Sequence, residues 1–339
     1  MPLPDLLKGL AVLLMIQVHI TELFVTPLVY DSLAGKISLF LGGVPAAPLF
    51  MAVMGYFVVK GGKSSLQLLR RGGQLLIYGL LLNTGLNLHL LIKILNGTYT
   101  LNPLEYIFGV DILFLAGYSL IALALLMKMK KYRGLTLAGL AVLIAALTPW
   151  VSQLASGSGL SPYLAAFIGS YAPWSYFPLF PWLAYPLTGA AFYYLGKHFW
   201  VQKYQKYFFI AALLVFVLLF GKGFSVSTTL AAYYHHSLVF YFWAVAFLMV
   251  LFFALRLFAP YFQSTIAGRY LRFLGKNVTA VYVIQWLIIG NVATAIYRSM
   301  PLWAGVVSFV SVLVITSLLV YFLNRYKHHQ AEKERYRVF

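Results

Sequence analysis

The chain is 339 residues long, 62% hydrophobic and only 9% charged, with 25 Lys and Arg against 7 Asp and Glu and no cysteine. That balance excludes a soluble globular enzyme, a disulfide framework, a thiolate metal site and a cysteine nucleophile. The net charge of +18 raises nucleic acid as a partner, and the placement of the charge along the chain removes it.

Apolar runs long enough to cross a hydrocarbon core of ~30 Å recur from the first residues to about Asn324. Ten are read, at 6–29, 38–59, 72–95, 107–127, 134–154, 172–196, 207–222, 237–255, 276–297 and 301–324. With the N-terminus in the cytoplasm, the inner segments collect Lys8, then Lys60, Lys63, Arg70 and Arg71, then Lys128, Lys130, Lys131 and Arg133, and so on to the C-terminal tail. All 25 cations but Lys36, Lys93, Lys222 and Arg298 fall inside. This positive-inside sorting predicts an all-α polytopic membrane protein with about ten transmembrane helices and both termini cytoplasmic. The charge then reports topology and contact with the anionic lipid of the bilayer, and nucleic acid is not expected as a partner.

The first run, "DLLKGLAVLLMIQVHITELF", extends from Asp5 to Phe24 and carries polar residues that a purely anchoring helix avoids. His19 lies eleven residues beyond Lys8, about 16 Å along the axis at ~1.5 Å per residue. With Lys8 at the inner interface, His19 reaches the midplane or somewhat beyond, where an ionisable group is a functional candidate by default. Glu22, at i+3, shares its face and is near enough to orient the imidazole or raise its basicity. Gln17 projects elsewhere. The alternative is a neutral His19 bonded to a neighbouring helix as packing glue. The following "TPLVYDS" lacks a small-residue cleavage site, so the span is expected to be retained.

In the second span Gly42, Gly43, Ala46, Ala47, Ala52 and Gly55 allow close backbone approach between helices. Lys60, Lys63, Arg70 and Arg71 after it form a basic inner loop that either holds phosphates, if several converge, or marks topology only. Asp111, at the outer end of the fourth span, is either a solvated helix-end carboxylate or a group that binds an acceptor hydroxyl or partners His19. In the sixth, "YFPLFPWLAYPLTGAAF" sets Trp182 among prolines, as an interfacial anchor or the wall of a path. Breaks of that kind survive at membrane depth only where protein or a water-lined cavity satisfies the freed backbone.

The outer loops near 155–172 and 222–236 are irregular in composition. His89, His198, His235 and His236 sit near span ends without metal-ligand spacing, so no metal is expected. Acidic residues also sort, with Glu22, Asp31, Glu105 and Asp111 outward and Asp5, Glu332 and Glu334 inward. The tail "RYKHHQAEKERYRVF" reads as a charged, frayed helix end.

Taken in order, several segments resemble the transmembrane acyltransferase superfamily, meaning the type-three acyltransferases and the heparan-α-glucosaminide N-acetyltransferase-like branch. "DLLKGLAVLLMIQVH" resembles its first helix, in which a basic residue is followed by ten others and a histidine; Asp5, Lys8, Gly9 and His19 match, with Lys for the commoner Arg. "AAPLFMAVMGYFVVKG", "LLRRGGQLLIYGLLLN", "GVDILFLAGYSLIALALL" and "YFPLFPWLAYPLTGAAFYYLGK" are similar to later elements. "FLGKNVTAVYVIQWLII" resembles one that usually reads Leu-Gly-x-x-Ser-x-x-x-Tyr followed by a histidine, with Val278 or Thr279 here for the serine and Gln285 at the histidine position.

The resemblance implies a membrane acyltransferase domain over 1–325, with 326–339 as a basic cytoplasmic tail. It implies transfer of an acyl group, in the first instance acetyl, from cytoplasmic acyl-CoA (acetyl-CoA) to a hydroxyl or amine of a glycan or other extracytoplasmic acceptor, in a bacterial inner membrane. His19 would remove the acceptor's proton, with Glu22 tuning the ring and Asp111 assisting. Lys8, Lys60, Arg70, Arg71 and Trp182 would bind the donor, whose pantetheine arm would follow the face from Lys8 to His19. A homodimer is left open. The competing expectation is a transporter or flippase for a lipid-linked or small polar substrate, since broken helices and buried polar residues also line transport paths.

Overall fold

The computed structural model describes residues 3–128, 133–157, 159–198, 202–262 and 264–337. Lys130 and Lys131 of the expected basic loop lie outside the described residues, as does Ser158 of an expected outer loop.

Helix occupies most of each expected span, although 172–178 and 108–111 are irregular, and most spans are helix pairs. The first is α1 (Leu3–Leu23) with the short α2 (Pro27–Asp31) after it, and the second is α3 (Leu33–Gly42) and α4 (Ala47–Lys60). α5 (Ser65–Leu86) and α6 (Leu88–Leu95) form the third, bent by 62° between them. The short α7 (Pro103–Ile107) leads into α8 (Ile112–Leu126), then α9 (Arg133–Gly157), α10 (Pro162–Ile168), α11 (Leu179–Trp182) and α12 (Ala184–Leu195). α13 (Gln205–Leu218) meets α14 (Phe220–Ser227) at 66°. The chain closes with α15 (Leu230–Tyr234), α16 (Leu238–Phe262), α17 (Ile266–Lys276), α18 (Val278–Ile296) and α19 (Leu302–Arg337). The last helix runs unbroken to Arg337, so the described part of the charged tail continues it.

Six segments are long and apolar enough to cross a membrane, with Leu33–Lys60 counted as one, and eight when each bent pair is one span. The two other expected spans fall on α8, which has 15 residues, and on α11 with α12, where Phe180 interrupts the helix at φ −102° and ψ 119°. No strand occurs among the described residues; a single parallel bridge joins Val25 to Met300. With its apolar, partly lipid-facing helices, the chain is an integral membrane protein.

Small residues set the helix crossings. A Cβ on Gly55 of α4 would run into the backbone of Pro186 on α12, and one on Gly189 of α12 into the backbone of Ala52. The two helices therefore touch main chain to main chain, the close packing that small residues allow in membranes. The same reciprocity holds α1 on α17, where Gly9 faces Leu271 and Gly275 faces Asp5. α12 is the buried centre of the bundle: Ala184, Tyr185 and Ala190 have no exposed surface. The proline-broken stretch before it is buried too, with Trp182 at 0% exposure, which meets the condition for a broken backbone at membrane depth. By contrast α19 turns Val306, Val310, Val314 and Leu318 outward at about half exposure, as a helix bordered by lipid does.

Candidate active site

α1 is fixed on both sides. Gln17 donates from Nε2 to the Ser38 carbonyl at 2.9 Å and accepts from Ser38 Oγ at 2.6 Å, while Thr21 Oγ1 meets the same Oγ at 2.6 Å. Gln17 thus projects away from His19, as its helical position predicts, and stitches α1 to α3. At its C-terminal end α1 is held by backbone bonds from Arg298 and Met300 to Leu23 and Phe24. Arg298 adopts φ 50°, donates from Nε to the Glu22 carbonyl at 3.3 Å, and stacks its guanidinium 5.1 Å from the Tyr30 ring. Burial first, and then the nearby Glu22 carboxylate, push the Tyr30 phenol up to about 12.

The face of α1 left free carries His19 and Glu22, and both line a cavity of about 40 Å³. That volume holds one or two small polar groups. Asp111 lines the same cavity from α8, with Tyr282 and Trp286 from α18 and Tyr233 and Tyr234 from α15. The three carboxylate and imidazole groups expected to carry chemistry therefore meet in one place, although 92 residues separate His19 from Asp111.

The imidazole is oriented by a residue other than Glu22. His19 Nδ1 lies 3.3 Å from Gln285 Oε1, and Gln285 Nε2 donates to the Tyr282 carbonyl at 3.2 Å. The Trp286 ring lies against the imidazole at a centroid distance of 3.9 Å. Glu22 shares the cavity wall with His19, and its carboxylate forms no ion pair among the described residues.

Asp111 is half-buried and bonded within the protein rather than freely solvated. It caps α8, accepting from Ile112 N at 2.6 Å, and the same Oδ1 accepts from the Tyr282 hydroxyl at 2.6 Å. Its second oxygen, Oδ2, is enclosed without a hydrogen-bond partner. Such an atom is costly to bury unless a donor reaches it. The loop bearing Asp111 is pinned by Asn83, whose side-chain amide donates to the carbonyls of Ile107 (3.0 Å) and Gly109 (2.7 Å). Backbone bonds from Val110 to Trp174 and from Phe177 to Val110 complete the clamp.

The residues expected to bind a donor are spread out. Lys8 stands at the far end of α1, paired with Asp5 at 2.7 Å. Lys60 is exposed at the end of α4, its ammonium 5.4 Å from the Phe57 ring centroid, and Arg70 and Arg71 are exposed on the first turns of α5. Trp182 lies behind the cavity lining: its indole N–H is used by the Tyr234 carbonyl at 2.7 Å, and its ring meets Tyr233 edge-on at 5.3 Å. It supports the aromatic wall without reaching the cavity surface. Tyr233 is held in turn by its hydroxyl, which donates to the Gly43 carbonyl at 3.1 Å.

Sequence reasoning assigned no role to Tyr282, Gln285, Trp286, Tyr233 or Tyr234. Tyr282 and Gln285 belong to a segment singled out by its resemblance, and their spacing of three places them on one helix face. The tyrosines of "AAYYHH" carry no such signal among 25 tyrosines in the chain. Among the described residues no three His, Asp or Glu side chains gather as a metal site.

A family model described as an acyltransferase domain matches residues 3–322. No curated protein and no solved structure matches the chain.

Proposed function

The chain belongs to the acyltransferase-domain family over nearly its whole length, and on that premise we propose that it moves a short acyl group from acyl-CoA on the cytoplasmic side to a hydroxyl or amine of an outer acceptor such as a glycan. As a family member it is a membrane acyltransferase in the general sense. The observation that carries the finer reading is the cavity in which His19 meets Asp111 and Glu22.

In this reading the acceptor's O–H or N–H donates to His19, and its heteroatom attacks the thioester carbonyl. The new C–O or C–N bond forms as the C–S bond breaks, and the proton held by His19 passes to the departing thiolate. General-base removal of that proton typically supplies 10²–10⁴ in rate. Asp111 Oδ2 is suited to accept a second hydrogen bond from the acceptor, so the attacking atom arrives oriented. Glu22 stands on the same wall, one turn from His19. Lys8 marks the donor's inner approach, with Lys60, Arg70 and Arg71 as a diffuse basic rim for its phosphates.

Purified protein in sealed vesicles, given labelled acetyl-CoA on the side of Lys8, tests this. Label recovered on a saccharide or amine acceptor supplied from the opposite side supports the reading. Absence of acetyl-CoA binding, together with net movement of an unmodified lipid or sugar, overturns it in favour of transport.

A further inference from the structure

The Gln285 side chain has no exposed surface, and both ends of its amide are committed. A carbonyl only accepts, so the 3.2 Å contact with the Tyr282 carbonyl must be made by the NH₂ end. That leaves Oε1, an acceptor, facing His19 Nδ1 at 3.3 Å. Two facing acceptors would repel, so Nδ1 carries a hydrogen and donates it. In a neutral imidazole with Nδ1 protonated, Nε2 holds the free lone pair. The Trp286 ring, tilted by 34° against the imidazole at 3.9 Å, opposes a flip that would exchange the two nitrogens.

We propose that Gln285 is the positioning residue of the site: through the chain Tyr282 carbonyl, Gln285 amide, His19 Nδ1, it selects the one tautomer whose Nε2 can take a proton. The inference deepens the acyl-transfer reading and rests on it for its kinetic consequence, while the tautomer itself is independent of which reaction occurs. An amide in this place differs from a carboxylate in carrying no charge, so Gln285 orients the base without placing a third carboxyl group beside Glu22 and Asp111. The helix turn that bears it also bears Tyr282, whose hydroxyl holds Asp111 at 2.6 Å. One turn of α18 therefore sets both the proposed base and the proposed acceptor anchor.

The direct test is a nitrogen-15 spectrum of the full-length protein labelled at histidine, with the His19 signals identified by their loss in His19→Ala. The expected result is a protonated Nδ1 and an unprotonated Nε2; an Nε2-protonated ring overturns the proposal whatever any variant does. Gln285→Met, close in volume and without an acceptor, is expected to give mixed tautomers and to lower kcat about 10- to 100-fold, the usual cost of losing such a partner, with KM for acetyl-CoA unchanged. Gln285→Glu keeps an oxygen at the same reach and is expected to restore most of kcat. Wild-type kcat in Gln285→Met overturns the proposal, as does a loss of kcat with His19 still wholly Nδ1-protonated. Failure of acetyl transfer in the unaltered protein would defeat the functional reading and leave the spectrum to decide the tautomer alone.

Discussion

Tyr282 donates its phenol hydroxyl to Asp111 Oδ1 at 2.6 Å, joining two residues 171 positions apart. The bond crosses from α18 to the N-terminus of α8 and fixes one oxygen of the carboxylate, while the other is enclosed without a hydrogen-bond partner. A hydrogen bond to a charged group contributes roughly 1.5–3 kcal/mol. Tyr282→Phe is therefore expected to raise KM for the acceptor about tenfold or more and to leave KM for acyl-CoA near its original value. Asp111→Asn separates site from scaffold, because Asn caps a helix about as well as Asp. It should keep thermal stability within about 0.5 kcal/mol while weakening acceptor binding; equal loss in both measurements would return Asp111 to a structural cap.

Gly55 and Gly189 let α4 and α12 meet at the backbone. Gly55→Ala forces a methyl against the Pro186 main chain, and overpacking of this kind costs about 1–3 kcal/mol. The measurement is the unfolding midpoint in detergent, expected to fall. An unchanged midpoint would mean that the two helices can separate freely.

Arg70 and Arg71 are exposed, so each contributes little by itself to a phosphate contact. Changing both to Gln is expected to raise the apparent KM for acyl-CoA by up to about tenfold, more strongly at low salt, where their field reaches further. A flat response at every ionic strength would make them topology markers only.

The cavity of about 40 Å³ suits an acetyl group. Donors with longer chains should lose kcat/KM progressively, at about 1–3 kcal/mol per extra methylene where the wall cannot yield. Equal use of acetyl and octanoyl thioesters would argue that the aromatic wall of Tyr233 and Tyr234 opens.

The helical class was legible because a membrane simplifies the code: length and apolarity announce a span. Gly42 and Gly55 were readable as close approaches from the small residues of the second span, whereas Gly9 and Gly275 drew notice only through the resemblance. The bends were not legible. The chain turns by 62° at Asn87 and by 66° at Leu219; neither holds a proline, and Gly85 and Gly221, two positions away, are among many glycines in the chain and do not single these sites out. His19 stood out because an ionisable group in a leucine-rich helix needs a reason. Its partner did not, since Gln285 is 266 positions away and reads locally as one amide in an ordinary span. Glu22, the sequence neighbour, was the natural choice to orient the ring, and the observed bond goes instead to Gln285. Asp111 was visible as a helix-end carboxylate, but its burial depends on Asn83 and on the 174–177 segment, contacts that no local pattern encodes. Trp182 was legible as part of a break and illegible as a support behind Tyr234, because its placement follows from how α11 folds under α15.

The proposed transfer depends on His19 as its base. The decisive measurement is single-turnover acetyl transfer by His19→Ala in reconstituted vesicles, alongside its equilibrium binding of acetyl-CoA. The predicted result is a rate lower by about 10²–10⁴ with insertion and acetyl-CoA affinity close to those of the unaltered protein. Transfer at an undiminished rate would contradict it.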